Sequence, residues 1–195
     1  MKLDLILAGV GGQGILSIAA IIARAALQRG LRLKQSEVHG MAQRGGAVQA
    51  HLRLSDQPIH SDMIPLGAAD LILAVEPLEA LRYLPYLKAD GWLIANSRTF
   101  ENITNYPPID ELLAAIRALP HQVLFDADAL AVDHGTRQAM NIALLGAAAP
   151  FLGLPEESLH AAIRAQFGRK GEAIVAGNLA VFTAGRELAR RLTAR

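Results

Sequence analysis

The chain has 195 residues, 52% of them hydrophobic and 19% charged, and its formal net charge is +1. This composition is enough for a folded domain with a sizeable core, and it excludes a strongly basic nucleic-acid binder. With no cysteine, this chain excludes disulfides and cysteine-ligated zinc or iron–sulfur clusters. We find no signal peptide and no apolar run near the ~20 residues that span a bilayer. We therefore expect a cytoplasmic protein that binds neither membrane nor nucleic acid.

The hydrophobic pattern predicts alternating strands and helices followed by a purely helical segment. Predicted strands cover residues 3–8, 31–36, 47–54, 71–75, 92–96 and 123–126, and predicted helices cover residues 15–29, 78–87, 110–119, 138–149, 155–166 and 172–192. In the strand 47–54 the alternation places His51 on the polar, solvent-facing side. The pattern predicts one domain over residues 1–195. Its fold class is a three-layer α/β/α arrangement with a mostly parallel sheet and a helical C-terminal third.

A first glycine-rich loop follows the first predicted strand, with the sequence Gly-Val-Gly-Gly-Gln-Gly at residues 9–14. It satisfies the G-x-G-x-x-G pattern between a strand and a helix, where free N–H groups at the helix start attract a phosphate. Glu37, just after the second predicted strand, is placed to bind the ribose of a dinucleotide. The motif alone leaves three interpretations open: an NAD-type site, another phosphate or cofactor contact, or a turn that only packs the helix closely.

A second glycine-rich loop has the sequence Ser-Glu-Val-His-Gly-Met-Ala-Gln-Arg-Gly-Gly at residues 36–46. A carboxylate, an imidazole, a carboxamide and a guanidinium fall within it, which is dense for a simple connector. Arg44 can bind a phosphate or a carboxylate in a bidentate manner, and His39 can donate or accept a hydrogen bond. The alternative is an ion pair for Arg44 and a backbone hydrogen bond for His39. We favour recognition or an interface over catalysis.

Four further polar residues lie at or just after the ends of predicted strands. Glu76 and Asn96 lie where ligands often meet α/β sheets, but a structural hydrogen bond is the favoured role for each. Asp126 and Asp128 suggest paired carboxylates or a magnesium site, but capping of a short helix by Asp128 is the favoured role. We therefore predict no metal site on this chain, and no residue stands out as catalytic.

Together the two loops resemble the gamma-type subunits of the 2-oxoacid:ferredoxin oxidoreductases, and within that family its indolepyruvate branch. The segment 36–46 is the more specific motif. Two other segments support the resemblance, namely Ala-Asp-Leu-Ile-Leu-Ala-Val-Glu-Pro-Leu-Glu-Ala at residues 69–80 and Gly-Asn-Leu-Ala-Val-Phe at residues 177–182. The resemblance covers most of the chain, and it weakens the NAD interpretation, because the family carries the glycine motif without a bound dinucleotide.

The resemblance implies a complex that oxidatively decarboxylates an aryl 2-oxoacid, passing the acyl group to coenzyme A and two electrons to ferredoxin. It implies no cofactor on this chain. Thiamine diphosphate, magnesium and iron–sulfur clusters are expected on a larger alpha subunit, which is the expected partner. The site residues expected to contact a cofactor or the partner are Gly9, Gly11, Gly12, Gln13, Gly14, His39, Gln43, Arg44, Gly45 and Gly46. Two alternatives remain: an independent NAD(P)-binding Rossmann-type oxidoreductase, and a pure scaffold.

Overall fold

The structure, a computed structural model, describes residues 1–40, 45–101, 103–134, 136 and 138–194. These residues form six strands: β1 (Lys2–Val10), β2 (Arg32–His39), β3 (Ala47–Ser55), β4 (Ala69–Ala74), β5 (Leu87–Asn96) and β6 (Gln122–Phe125). They also form seven α-helices: α1 (Ile15–Gln28), α2 (Pro77–Arg82), α3 (Ile109–Arg117), α4 (Ala127–Asp133), α5 (Met140–Ala148), α6 (Glu156–Phe167) and α7 (Glu172–Thr193).

The strands build one mixed sheet in the order β2-β3-β1-β4-β5-β6. The neighbours β1–β4, β4–β5 and β5–β6 are parallel, whereas β3 runs antiparallel to both β1 and β2. The mostly parallel sheet is therefore confirmed. One consequence matters for the site: the β2–β3 turn lies at the edge of the sheet where β1 ends.

Helices cover both faces of the sheet, which confirms the three-layer architecture. On β1, Leu5 and Leu7 face a core shared with α1, α4, α5, α6 and α7, while Ile6 and Ala8 face a second core with α2 and α3. This alternation follows the period-2 geometry of a strand buried on both sides. After β6 the described elements are all helical, as expected for the C-terminal third.

The helices α5 and α7 cross at a point where two glycines replace side chains. A Cβ added to Gly146 would overlap the carbonyl of Phe182 on α7, and one added to Gly185 would overlap the carbonyl of Ala143 on α5. From Asn141 to Ala148, every residue of α5 is buried. The close crossing makes α5 the central helix of its layer.

Three predicted elements differ from the structure, since the strand predicted over residues 92–96 already begins at Leu87. The helix expected over residues 78–87 ends at Arg82, and a 3₁₀ turn over Leu84–Tyr86 leads directly into β5. Pro85 explains this, because proline has no N–H to continue the α-helical ladder. The second strand extends to His39, so Glu37 and His39 belong to β2 rather than to a loop.

The polar face of β3 is covered rather than solvent-exposed, so the expected half-exposed strand was wrong on that side. His51 is buried, and its Nδ1 accepts a hydrogen bond of 3.0 Å from the Ile64 backbone N–H. Arg53 donates to the carbonyls of Ser61 and Met63 at 3.1 and 3.0 Å. Residues 56–68 therefore form a covering segment held to β3 by polar contacts.

Candidate functional site

The two glycine loops lie side by side at the edge of the sheet where β1 ends. The Gly11 N–H donates to the Gly46 carbonyl at 2.8 Å, and the Gly45 N–H donates to the Gly11 carbonyl at 3.5 Å. At the base of the hairpin, the Gly40 N–H donates to the Ala47 carbonyl at 2.9 Å. The antiparallel insertion of β3 next to β1 makes these backbone contacts possible, so the loops form a single surface.

The first loop is held by its own hydrogen bonds. The Gln13 side-chain oxygen accepts from the Val10 N–H at 2.8 Å, and the Gln13 N–H donates to the Val10 carbonyl at 3.2 Å. Gly9 is packed, because a Cβ there would overlap the side chain of Val75. Gln13 and Gly9 therefore shape the loop from inside, and these contacts explain their presence without a ligand.

A cavity of about 640 Å³ lies between the loops and the start of α1. Its lining includes Gly11, Gly12 and Gly14 from the first loop and His39 and Gly40 from the hairpin. The first turn of α1 contributes Leu16 and Ser17, and Leu16 is 45% exposed although it is a large apolar side chain. The first turn of α1 has no acidic residue and no side-chain cap. The opening therefore combines backbone N–H groups with an exposed apolar contact.

The expected site residues thus fall into three groups. The cavity is lined by Gly11, Gly12, Gly14 and His39. Outside this lining, backbone hydrogen bonds connect Gly45 and Gly46 to Gly11. The first loop is packed from inside by Gly9 and Gln13. Gln43 and Arg44 lie outside the described residues. The roles expected for all ten residues remain predictions.

His39 continues a row of polar side chains along one face of β2. Its Nε2 lies 3.2 Å from Glu37 Oε2, and the other Glu37 oxygen accepts from the Gln35 side-chain amide. The His39 and Glu37 side chains are 49% and 29% exposed. Of this row, the His39 imidazole lines the cavity, and the Glu37 carboxylate pairs with it.

The dinucleotide interpretation does not fit the order of the strands. A ribose-binding acid follows the strand next to β1 in a dinucleotide fold, but here the neighbours of β1 are β3 and β4. Glu37 lies on β2, about two strand spacings or ~10 Å from β1, and its carboxylate already binds Gln35 and His39. The geometry therefore argues against an NAD site built from the first loop and Glu37.

Glu76, which follows β4, and Asn96, the last residue of β5, are buried and make hydrogen bonds within the chain. Glu76 caps α2 by accepting from the Glu79 N–H at 2.9 Å and also accepts from the Tyr106 hydroxyl. Burial and this carboxylate raise the pKa of Tyr106. Asn96 accepts from the Ala127 N–H at 3.0 Å and donates to Asp128 at 2.9 Å. These contacts support the structural role favoured from the sequence.

Asp126 and Asp128 both accept hydrogen bonds at the start of α4. Asp126, rather than Asp128, caps the helix by accepting from the Ala129 N–H at 2.8 Å, which corrects the expected cap by two positions. Asp128 contacts the side chain of Asn96 instead. Among the described residues, no three His, Asp or Glu side chains are grouped to hold a metal ion.

Sequence reasoning missed two residues of the site. Leu16 lies in a helix predicted from its apolar content, and no pattern marked it as exposed. Asn141 on α5 donates to the Gly14 carbonyl at 3.2 Å. Its signal was present, because it is a lone carboxamide in the apolar run of residues 139–149.

The α/β fold is shared with solved subunits of oxoacid and pyruvate oxidoreductases. A sequence model described as pyruvate ferredoxin/flavodoxin oxidoreductase matches residues 4–188. The chain belongs to this family, which confirms the resemblance based on the two loops.

Two individual proteins are similar to this chain over most of their length. The indolepyruvate oxidoreductase subunit IorB of Methanothermobacter thermautotrophicus is 39% identical over 165 residues, covering 81% of this chain and 83% of that subunit. The keto/oxoacid ferredoxin oxidoreductase gamma subunit of Geobacter sulfurreducens superposes with a TM-score of 0.71 at 27% identity, covering 97% of this chain and 99% of that subunit.

A larger relative shares the fold as one part of a longer chain. The 2-oxoglutarate:ferredoxin oxidoreductase of Magnetococcus marinus superposes with a TM-score of 0.79 at 22% identity. The match covers all of this chain and 32% of the longer chain.

In the described part of this chain, no helix has the length and apolarity needed to cross a membrane.

Proposed function

We propose that this chain is the small subunit of a ferredoxin-dependent oxidoreductase that decarboxylates aryl 2-oxoacids of the indolepyruvate type. The observation that carries the proposal is the 39% identity to an indolepyruvate oxidoreductase subunit over about four fifths of both chains. The partner is a larger subunit, and the cavity surface between the glycine loops is the part of this chain that meets it.

The proposed reaction removes the carboxylate of the 2-oxoacid as carbon dioxide and transfers the acyl group to the sulfur of coenzyme A. The thiol proton is released, and the two electrons from the broken carbon–carbon bond reduce ferredoxin. Thiamine diphosphate with magnesium would stabilise the carbanion left by decarboxylation, and iron–sulfur clusters would carry the electrons. We assign no step of this chemistry to residues of this chain.

The described residues of this chain offer no ligand set for an iron–sulfur cluster or a metal ion. The chain contains no cysteine to ligate an iron–sulfur cluster. In residues 1–40, 45–101, 103–134, 136 and 138–194, no group of three acidic or histidine side chains suits a metal ion. The donor set therefore favours cofactors on the partner subunit.

The docking role of the site is supported by Leu16. A large apolar side chain at the rim of a concave surface loses water on binding a partner, which is the usual source of affinity. The backbone contact between Gly11 and Gly46 fixes the described end of the second loop against the first loop. A preformed surface avoids much of the ordering cost of association.

Purification from the source organism through a tag on this chain tests the assembly directly. Native mass spectrometry should show a heteromeric complex that contains iron and thiamine diphosphate and reduces ferredoxin with indolepyruvate and coenzyme A. A homo-oligomer carrying a nicotinamide nucleotide would overturn the proposal. A complex active on pyruvate but not on aryl 2-oxoacids would overturn the substrate class.

The substitution Leu16→Asp tests the docking surface. Docking can bury only the 45% of Leu16 that is exposed, which is about half of the ~1.5–3 kcal/mol for full burial of a leucine. The aspartate adds the cost of desolvating a carboxylate, so we expect affinity for the partner subunit to fall about tenfold. The isolated chain should keep its stability, because a carboxylate near a helix N-terminus is favourable. Titration of the purified partner and thermal unfolding measure the two effects.

Leu27→Asp is the matched control on the same helix. Leu27 is 59% exposed and lies near the opposite end of α1, about 16 Å away at 1.5 Å per residue. We expect this variant to assemble like the wild type. Equal affinity for wild type and Leu16→Asp would exclude the cavity surface as the docking site.

A further inference from the structure

The side chain of Asn141 connects the buried helix α5 to the first glycine loop. Its Nδ2 donates to the Gly14 carbonyl at 3.2 Å, and the residue is 8% exposed. The same carbonyl accepts from the N–H groups of Ser17 and Ile18 at 3.1 and 3.3 Å. Asn141 therefore binds the carbonyl oxygen that starts the hydrogen-bond ladder of α1.

Asn141 also fills the space that Gly14 leaves open. Gly14 has a left-handed backbone with φ 82°, and a Cβ there would lie 2.5 Å from Asn141 Nδ2 and 3.1 Å from its Cγ. The carboxamide thus touches the glycine Cα side while it binds the glycine carbonyl. Two contacts on one residue fix both the position and the rotation of that peptide unit.

The conformation of Gly14 sets the orientation of the first turn of α1 relative to the hairpin. Gly14 is the residue just before α1, and Leu16 and Ser17 in the next turn line the cavity together with Gly12. A rotation at Gly14 would swing the first turn of α1 relative to the hairpin. The opposite end of the contact is rigid, because α5 is buried on all sides and locked against α7 through Gly146.

We infer that Asn141 is a positioning residue that holds Gly14, and through it the first turn of α1, in the orientation that the partner subunit binds. This inference rests on the proposed docking function. It assigns to the helical C-terminal third a role in assembly, although that part of the chain contributes none of the expected site residues.

The chain offers a matched control for Asn141. Asn178 is also a buried asparagine, at 4% exposure, and its Nδ2 also donates to a backbone carbonyl, that of Ile174 at 2.7 Å. That hydrogen bond stays within α7 and does not reach the loops. Asn178→Asp therefore measures the loss of a buried amide donor without any effect on Gly14.

The test compares Asn141→Asp with Asn178→Asp by titrating each full chain with the purified partner subunit. At about pH 8 the introduced carboxylate has no proton to donate and faces the Gly14 carbonyl, so we expect affinity to fall about tenfold or more. Asn178→Asp should bind within about twofold of wild type. Turnover at saturating partner should stay near wild type for both, because Asn141 does not act on reacting atoms.

Lowering the pH gives a second readout for Asn141→Asp. Burial raises the pKa of a carboxyl, so by about pH 6 the acid can donate its O–H to the Gly14 carbonyl, and affinity should recover relative to wild type. If Asn141→Asp does not fold, Asn141→Ser, which keeps a shorter donor, is measured in the same way and should show a smaller loss.

Each result has one meaning. Wild-type affinity in a folded Asn141 variant overturns the inference, and so does an equal loss in Asn178→Asp. If Leu16→Asp weakens assembly and Asn141→Asp does not, the docking site stands and the positioning role fails. If neither variant weakens assembly, the proposed docking function itself fails.

Discussion

The glycines at the α5–α7 crossing and those in the two loops occupy opposite environments. At the crossing, Gly146 and Gly185 have no room for a Cβ, because each would overlap a backbone carbonyl of the other helix. In the loops, Gly12 and Gly45 have φ of 99° and 80°, and among the described residues no heavy atom lies within 4 Å of an added Cβ.

The difference separates glycines that the fold needs from glycines that leave a surface open. At the crossing, glycine permits backbone contact inside the chain. In the loops, glycine permits a positive φ, and no described residue contacts the position of its missing Cβ. Open space above a fixed backbone suits the approach of another molecule, so the comparison agrees with docking at the loops.

The largest expected effect is at the crossing. Gly185→Ala would force α5 and α7 apart, because the obstacle is a backbone carbonyl that cannot rotate away, and the free energy of unfolding should fall by about 3 kcal/mol or more. Chemical denaturation measures this free energy of unfolding.

Gly168→Ala is the control, since Gly168 has φ −55° and no described heavy atom within 4 Å of an added Cβ. This substitution should be neutral or stabilise the fold by up to about 1 kcal/mol. A loss below 1 kcal/mol for Gly185→Ala would remove the distinction between the two regions.

A smaller effect is expected in the first loop. Gly12→Ala meets no neighbour but must hold a positive φ, which costs roughly 1–2 kcal/mol for a residue with a Cβ. The same denaturation experiment should rank it below Gly185→Ala. A loss as large as that of Gly185→Ala would mean that the loop is packed rather than open.

The smallest expected effect is the pH dependence of the free energy of unfolding that arises from His51 on β3, the strand after the second loop. Burial is the main cause that lowers the pKa of His51, with Asp62 raising it and Arg53 lowering it. The folded state therefore favours the neutral ring, while the unfolded chain takes up a proton near the ordinary value of 6.5. Stability is fully present above about pH 6.5 and decreases as the pH falls below it, because the unfolded state then binds more protons.

His51→Asn tests this source of acid sensitivity. The asparagine oxygen can replace Nδ1 as acceptor for the Ile64 N–H and does not titrate. The loss of unfolding free energy between about pH 7.5 and 5.5 should therefore be smaller than in wild type. His60→Asn, at an exposed position of the covering segment, should keep the wild-type pH dependence. An unchanged pH dependence in His51→Asn would place the acid sensitivity elsewhere.

The three layers of the fold could be predicted, because the period of the hydrophobic pattern distinguishes strands from helices. Residues 3–8 and 15–29 match β1 and α1 closely, and Gly30, with φ 72°, ends the helix as expected. The order of the strands was not predictable, since the pattern gives the faces of a strand but not its neighbours. The insertion of β3 beside β1 is what removed Glu37 from a dinucleotide site.

The site was predictable to the extent that it is made of glycine. The motifs at residues 9–14 and 36–46 identified both loops, because a glycine cluster is visible in the sequence. The burial of His51 was missed because its cover, residues 56–68, is an irregular segment without periodicity. Asn141 was missed because its contact with Gly14 joins residues that are remote in the chain.

The two hydrogen bonds between the loops also govern how the surface moves. Gly11 donates to Gly46 and accepts from Gly45, so neither loop can leave its place without breaking the backbone contacts of the other. Local opening events in proteins follow such cooperative units. The amide protons of Gly11 and Gly45 should therefore exchange with solvent at a common rate. A partner would then encounter one surface that is either formed or open, and not two halves that fluctuate independently.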